Sequence, residues 1–299
     1  MVYTEIKQKG KNNYYYRVIS IRKGKKVSKK RIYLGKNLDK KTLKNKEEEA
    51  NKELKLLSTL LNSEELKLLK SIQENYLKEP KENLENRYES FCSLFAYNST
   101  NIEGNTLTLQ ETSNLLFDKI TPNKSLREIN EVINHKEAFD FILDYKGDLT
   151  KQFILKLHEI VVKNTLKSEL SDNIGKYRNL QVYIRGTSWL PSKPKQVPKE
   201  MGSLLRWYAK NKKELHPLIL TAYFHSAFET IHPFVDGNGR VGRLILNFIL
   251  HKNNFPMINI LNKDKYDYYS ALESSQTKGD LRKFIELLIK LLKDEKIRL

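Results

Sequence analysis

Apolar positions recur at helical spacing through most of the chain. In residues 218–231, LILTAYFHSAFETI, Leu220, Tyr223, Phe224, Phe228 and Ile231 share a face, which predicts a buried helix ending at His232-Pro233. A second helix starts near Arg240 and carries Leu244, Ile245, Phe248, Ile249 and Leu250. Between them lies Asp236-Gly237-Asn238-Gly239, a loop of residues that reach positive φ cheaply. Upstream, 125–145 predicts a helix with Ile129, Val132, Ile133, Ala138, Phe139 and Ile142 inward, and 149–164 predicts another. Thr108 and Glu111 form a capping-box pattern where Leu107–Thr112 begins a helix. Phe91, Leu94, Phe95, Asn98 and Ile102 line one helical face, and Gly104 is placed to stop it. Earlier still, Asp39, with Asn37 as the second candidate, caps a charged pattern with Leu54, Leu57, Leu60, Leu61, Leu66, Leu69 and Ile72, interrupted at Asn62-Ser63 and ended by Pro80. That predicts an αα-hairpin. Helical spacing returns at 197 and again over 265–291.

Two stretches break the helical pattern. Residues 14–21, YYYRVISI, are rich in strand formers; Lys23-Gly24-Lys25 reads as a turn and Val27–Leu34 as the next strand. Lys9-Gly10-Lys11 reads as an earlier turn, so the N-terminus predicts a three-stranded sheet. Over 173–198, Gln181–Arg185 is a short strand pattern followed by a turn at Gly186-Thr187-Ser188. The fold class is mainly α, with a small basic β-sheet appended. We expect a β appendage over 1–37, a helical hairpin or linker over 38–90, and a helical core over 91–299.

Composition narrows the picture. The 299 residues are 39% hydrophobic, as in ordinary globular chains. No run approaches the roughly 18 apolar residues of a membrane span, and MVYTEIKQKGKNN lacks the apolar core of a signal peptide. One cysteine, Cys92, excludes an internal disulfide. A cytoplasmic protein is expected. The net charge of +18 is uneven: residues 1–36 hold twelve Lys/Arg and one acid, Glu5. A basic sheet with interleaved tyrosines suits nucleic-acid phosphates and bases. It loosely resembles the small β-sheet DNA-binding modules at the N-termini of some integrases and transposases. The plainer reading is a solvated sheet that packs on the body or binds an acidic partner.

The loop at 236–239 carries the chemistry. A curled loop feeding a helix N-terminus is an anion site. Arg240 and Arg243, three apart, share a face beside it and suit a polyphosphate. Asp236 in the same loop suits Mg²⁺, which takes one or two carboxylates plus substrate oxygens. His232 lies four residues earlier and suits a general base near neutral pH. Each feature alone is ordinary: a cap, a turn, a solvated face. Together within 232–243 they point to attack on a phosphoryl or nucleotidyl group. His135, His158 and His225 read as satisfied structural histidines.

The stretch HPFVDGNGRVGR resembles the Fic (Fido) signature, His-x-Phe-x-[Asp/Glu]-Gly-Asn-Gly-Arg-x-x-Arg, at every defining position. The resemblance covers about 91–299, with the Fido segment about 149–290. It implies a Fic-type helical bundle with a β-hairpin flap, and transfer of AMP from Mg-ATP to a target hydroxyl. On these positions it makes His232 the base, Phe234 the loop anchor and Asp236 the Mg²⁺ ligand. Gly237, Asn238 and Gly239 form the anion hole, and Arg240 and Arg243 hold the remaining phosphate charge. Ser99-Thr100-Asn101-Ile102-Glu103-Gly104 matches the family's inhibitory motif, [Ser/Thr]-x-x-x-Glu-[Gly/Asn], which implies that Glu103 pairs with Arg243 and holds the site off. In some members that glutamate also serves removal of AMP. The flap near 181–191, after Gly175-Lys176-Tyr177-Arg178, is implied to dock the target protein by strand addition, with Thr187 and Ser188 near the nucleotide. Tyr268 and Tyr269 are implied near the adenosine. Gln276 stands where some members read adenine with Asn, and no Arg precedes the tyrosine pair; both departures bear on the choice of base.

Three readings follow. The first is an autoinhibited protein adenylyltransferase using ATP and Mg²⁺, with a target protein as partner and a homodimer kept open. The second is a DNA-binding regulatory protein with a catalytically weak Fic module. The third is a Fic enzyme that moves another group, such as UMP or phosphate, or that removes AMP.

Overall fold

The computed structural model describes residues 2–23, 26–79, 84–184, 190–295 and 299, with the backbone alone for 2, 19–23, 26–30, 49, 51–59 and 84. The expected turn residues Gly24 and Lys25, the breaker Pro80, and Gly186, Thr187 and Ser188 lie outside the described residues, as do the side chains of Leu54 and Leu57. The chain divides into two compact units, 1–65 and 66–299.

The first unit is an antiparallel sheet in the order β1 (Val2–Lys9), β2 (Asn12–Lys23) and β3 (Lys26–Lys36), followed by α1 (Lys40–Thr59). Gly10, at φ +61°, makes the expected first turn. A bulge opposite Tyr15/Tyr16 adds Leu34 to β3. Asp39 caps α1 by accepting from the N–H groups of Lys41 and Thr42. Glu47 on α1 accepts from Thr4 and lies 3.6 Å from Arg17, so α1 covers one face of the sheet. The division between the units falls within the predicted hairpin: α1 belongs to this unit, and α2 (Ser63–Lys78) lies mainly in the second.

The second unit is a helical bundle of α2, α3 (Leu84–Ile102), α4 (Leu109–Ser113), α5 (Leu126–Asp144), α6 (Lys151–Val161), α7 (Val197–Asn211), α8 (Pro217–Ile231), α9 (Asn238–Lys252), α10 (Lys265–Lys278) and α11 (Arg282–Lys293). Capping boxes start α4 at Thr108/Glu111 and α5 at Ser125/Glu128. At the centre, α8 and α9 are buried nearly all round, which marks core helices. Helices α7, α10 and α11 pack around α8, and α3, α5 and α6 around α9. Three expectations need correction. Ile133 on α5 faces solvent, at 41% exposure. The last helix of the signature begins at Asn238, two residues before Arg240, because Gly237 turns left-handed one residue earlier. Residues 181–184 belong to no strand, so the hairpin ladder expected there is absent among the described residues.

Candidate active site

The loop between α8 and α9 is shaped by backbone strain that sequence chemistry relieves. His232 ends α8 at φ +52°, a left-handed conformation that non-glycine residues rarely adopt. Arg178, itself buried, holds it there: its Nε donates to the His232 carbonyl at 2.8 Å and its backbone N–H to the Pro233 carbonyl at 2.9 Å. The Asn238 side chain closes the loop reciprocally, accepting from the Phe234 N–H at 2.8 Å and donating to its carbonyl at 2.9 Å. Phe234 is fully buried and stacks on His158, ring centroids 3.8 Å apart. The Gly175 N–H donates to His158 Nδ1 at 3.1 Å, so Nε2 carries the proton and donates to the Asp236 carbonyl at 3.2 Å. His158 is thus a structural pin, as expected.

This loop delivers α9 with its first turn open. Val241 N–H to Gly237 O is the first intrahelical bond, so the N–H groups of Asn238, Gly239 and Arg240 remain as donors at the positive end of the helix. Arg240 and Arg243 rise from the same end and are both buried, at 2% and 1% exposure. The Arg240 Nε atom has no hydrogen-bond partner and Nη1 has only an ion pair with Glu131 at 3.5 Å, and buried guanidinium donors with spare capacity suit an anion.

Glu103 lies where the inhibitory motif predicts. Arg243 Nη2 donates to Glu103 Oε1 at 2.8 Å and to the Ser99 carbonyl at 2.6 Å, while Nε donates to Ser99 Oγ at 2.9 Å. The α3 helix ends at Ile102, and Gly104 at φ +105° turns the chain so that Glu103 projects from the break. A side chain at Gly239 would collide with the Glu103 carboxylate, so the glutamate lies against the donor cradle. Tyr269 donates to the Ile102 carbonyl at 3.3 Å and steadies the same corner.

A second charge network was not anticipated. Asp236 accepts from Arg240 Nη2 and from Arg127 Nη2, each at 3.2 Å. Glu131 on α5 accepts from Arg127 at 3.2 Å and from Asn105 at 3.0 Å, and lies 3.5 Å from Arg240. The i,i+4 pairing of Arg127 and Glu131 was visible in sequence, but nothing there placed it beside Asp236. No cluster of three or more metal-type ligands exists among the described residues. Asp236 alone, beside a phosphate cradle, fits a Mg²⁺ ion that shares its coordination with a nucleotide.

Burial sets the protonation states. It pulls His232 down to about 4, with the Glu103 charge opposing, so the ring is neutral at pH 7. It pushes Glu229 up to about 8, with Arg243 opposing and Glu103 reinforcing. Glu229 Oε2 lies 3.9 Å from His232 Nδ1. His225 donates from Nδ1 to the Gly242 carbonyl at 3.0 Å, so its Nε2 accepts from the Tyr268 hydroxyl at 2.8 Å. Tyr268 is therefore a core residue at 1% exposure, whereas Tyr269 is 44% exposed. His135, expected to be satisfied, is buried edge-on against Phe95 with neither ring nitrogen partnered. Gln276 lines a 510 Å³ cleft between α7, α8 and α10 that reaches Ile231, next to His232. Thr187 and Ser188 lie outside the described residues.

A helical bundle that sets a neutral histidine beside a helix-end donor cradle and two buried arginines offers a site suited to an anion such as phosphate. The Fic/DOC family model matches residues 148–250. A Fic-domain-containing signalling protein from Bacteroides thetaiotaomicron is 31% identical, with a TM-score of 0.68, over 76% of this chain and 91% of that one. Fic-1 from C. elegans is 25% identical at a TM-score of 0.68, over 86% and 76% of the two chains. Protein adenylyltransferase Fic of Nematostella vectensis is 34% identical over 198 residues, 64% of this chain and 45% of that protein. The chain belongs to the Fic/DOC family. It spans less than half the length of such curated relatives.

Proposed function

We propose that the protein is an autoinhibited protein adenylyltransferase. The observation that carries this reading is the meeting of a neutral His232 with the α9 donor cradle and the Arg240/Arg243 pair. His232 takes the proton from a Ser, Thr or Tyr hydroxyl of a target protein or of the chain itself. The oxygen attacks the α-phosphorus of ATP and pyrophosphate leaves. The N–H groups at 238–240 and the two guanidiniums hold the phosphates and carry the growing charge. Asp236 would hold Mg²⁺, which supplies charge neutralisation when bound; releasing that carboxylate means parting it from Arg127 and Arg240. The cleft lined by Gln276 is the size of a small-molecule pocket and takes the base. Residues 181–191 dock the target's backbone; Tyr183 there is 80% exposed. Cys92, buried with its thiol pushed up to about 12 by burial and the Asp140 charge, fits a reducing compartment such as the cytoplasm.

The partly exposed Glu103 also suits removal of AMP by orienting a water, with the same histidine returning the proton. The test is incubation of Glu103→Gly with Mg²⁺ and ATP, read by intact mass. An AMP adduct is expected, and adding His232→Ala abolishes it. A phosphate or UMP adduct, when the matching nucleotides are supplied, in place of AMP sinks the choice of cargo.

A further inference from the structure

The first unit has a built face that adenylyl transfer does not use. Strand register sets Tyr14, Tyr16 and Tyr33 side by side with Lys7, Glu5 and Arg31, on the side of the sheet away from Arg17, Thr4 and α1. Tyr33 packs 5.3 Å from Tyr16 and 6.4 Å from Tyr14, and Lys7 Nζ lies 5.6 Å over the Tyr16 ring. Glu5, the one acid of residues 1–36, is neutralised by Arg31 at 2.6 Å. Val18 on the same face is fully buried, so the open part is the aromatic floor at Tyr14, Tyr16 and Tyr33, rimmed by cations, with Tyr33 47% exposed.

Charge selects the occupant. Residues 1–36 carry twelve cations and one anion, a net +11; taken from +18, this leaves +7 for the other 263 residues. Such a density demands a polyanion. Shape then favours one polyanion over another. The major groove of B-DNA, about 12 Å wide, admits β-ribbon elements, so part of the sheet face can enter it. The major groove of an RNA duplex is deep and narrow and rejects such an element. The tyrosines pack ring against ring within the sheet instead of standing apart to receive splayed bases, which disfavours a single strand.

We propose that the N-terminal unit is a duplex-DNA-binding module, and that its tyrosine-bearing sheet face docks in the major groove with its lysines and arginines on the flanking phosphates. This stands apart from the adenylyl-transfer reading; either can fail alone. The test uses the full chain and a labelled mixed-sequence DNA duplex of about 20 base pairs, with fluorescence anisotropy across a salt series. Binding is expected to weaken steeply with salt. The variant Lys7→Ala/Lys9→Ala/Lys36→Ala removes three cations that register sets on this face, and is expected to lower the log–log salt slope by about three. Circular dichroism melts confirm that the variant folds. An unchanged slope in a folded variant overturns the proposal. So does equal or better competition by an RNA duplex, a single strand or polyglutamate, the last of which would mark an acidic protein partner.

Discussion

His232 shows how surroundings set the protonation of one side chain. An ordinary histidine is half protonated near pH 6.5, but burial has pulled this one down to about 4. It is therefore free to accept a proton well into the acid range. In Glu103→Gly, which removes the charge that pulls the ring upward, kcat/KM for self-modification is expected to fall by less than about a quarter between pH 7.5 and 5.5. An unperturbed histidine would cost about tenfold over that range, and a midpoint near 6.5 contradicts the reading. The residue itself was legible in the signature. Its protonation was not, because burial comes from helices distant in sequence. The same limit hid Glu229, the buried acid of the FET triplet that precedes the signature, and the fixed tautomers of His158 and His225. A histidine announces its type in sequence but not its partners, which is why His135 could be read as satisfied when both its nitrogens are bare.

At the scale of elements, the site depends on where α9 begins. Gly237 sits at φ +79°, and a Cβ there would lie 2.9 Å from Val162 Cγ1 and 3.4 Å from Val161 Cγ1. Both the conformation and the space exclude a side chain. Gly237→Ala is expected to cost about 2–3 kcal/mol, lowering Tm by roughly 4–12 °C for a unit of this size. Gly279→Ala is the control: φ is +65° but nothing lies near, so only the conformational cost of about 1 kcal/mol applies. Equal losses at the two sites would show that packing against α6 does not define the loop. The helices were legible because apolar spacing and caps agree at Thr108 and Asp39. The start of α9 was misjudged by two residues since the arginines mark its function and Gly237 its geometry. The strand pattern expected at Gln181–Arg185 is not seen at 181–184, and Arg185 with the turn after it lies outside the described residues.

The whole molecule joins a Fic core to an N-terminal unit of different character. The core was legible almost throughout, since one dense signature fixes loop, helix and histidine together. The unit boundary near 65 was not, because α1 and α2 look alike in sequence and only packing assigns them to different bodies. In the core, α3 and α9 meet across 140 residues of sequence through Glu103 and Arg243, and the proposed autoinhibition rests on that contact. Arg243 is fully buried and Glu103 is 36% exposed, so the pair is worth less than a wholly buried one. Roughly 1.5–3 kcal/mol of lost productive binding is reasonable, which is about tenfold to a hundredfold in rate. The most direct test compares initial rates of AMP incorporation by wild type and Glu103→Gly at the same ATP and Mg²⁺ concentrations. An increase of about tenfold to a hundredfold in the variant is the expected result. Equal rates would contradict the claim that the Glu103–Arg243 pair holds the site off.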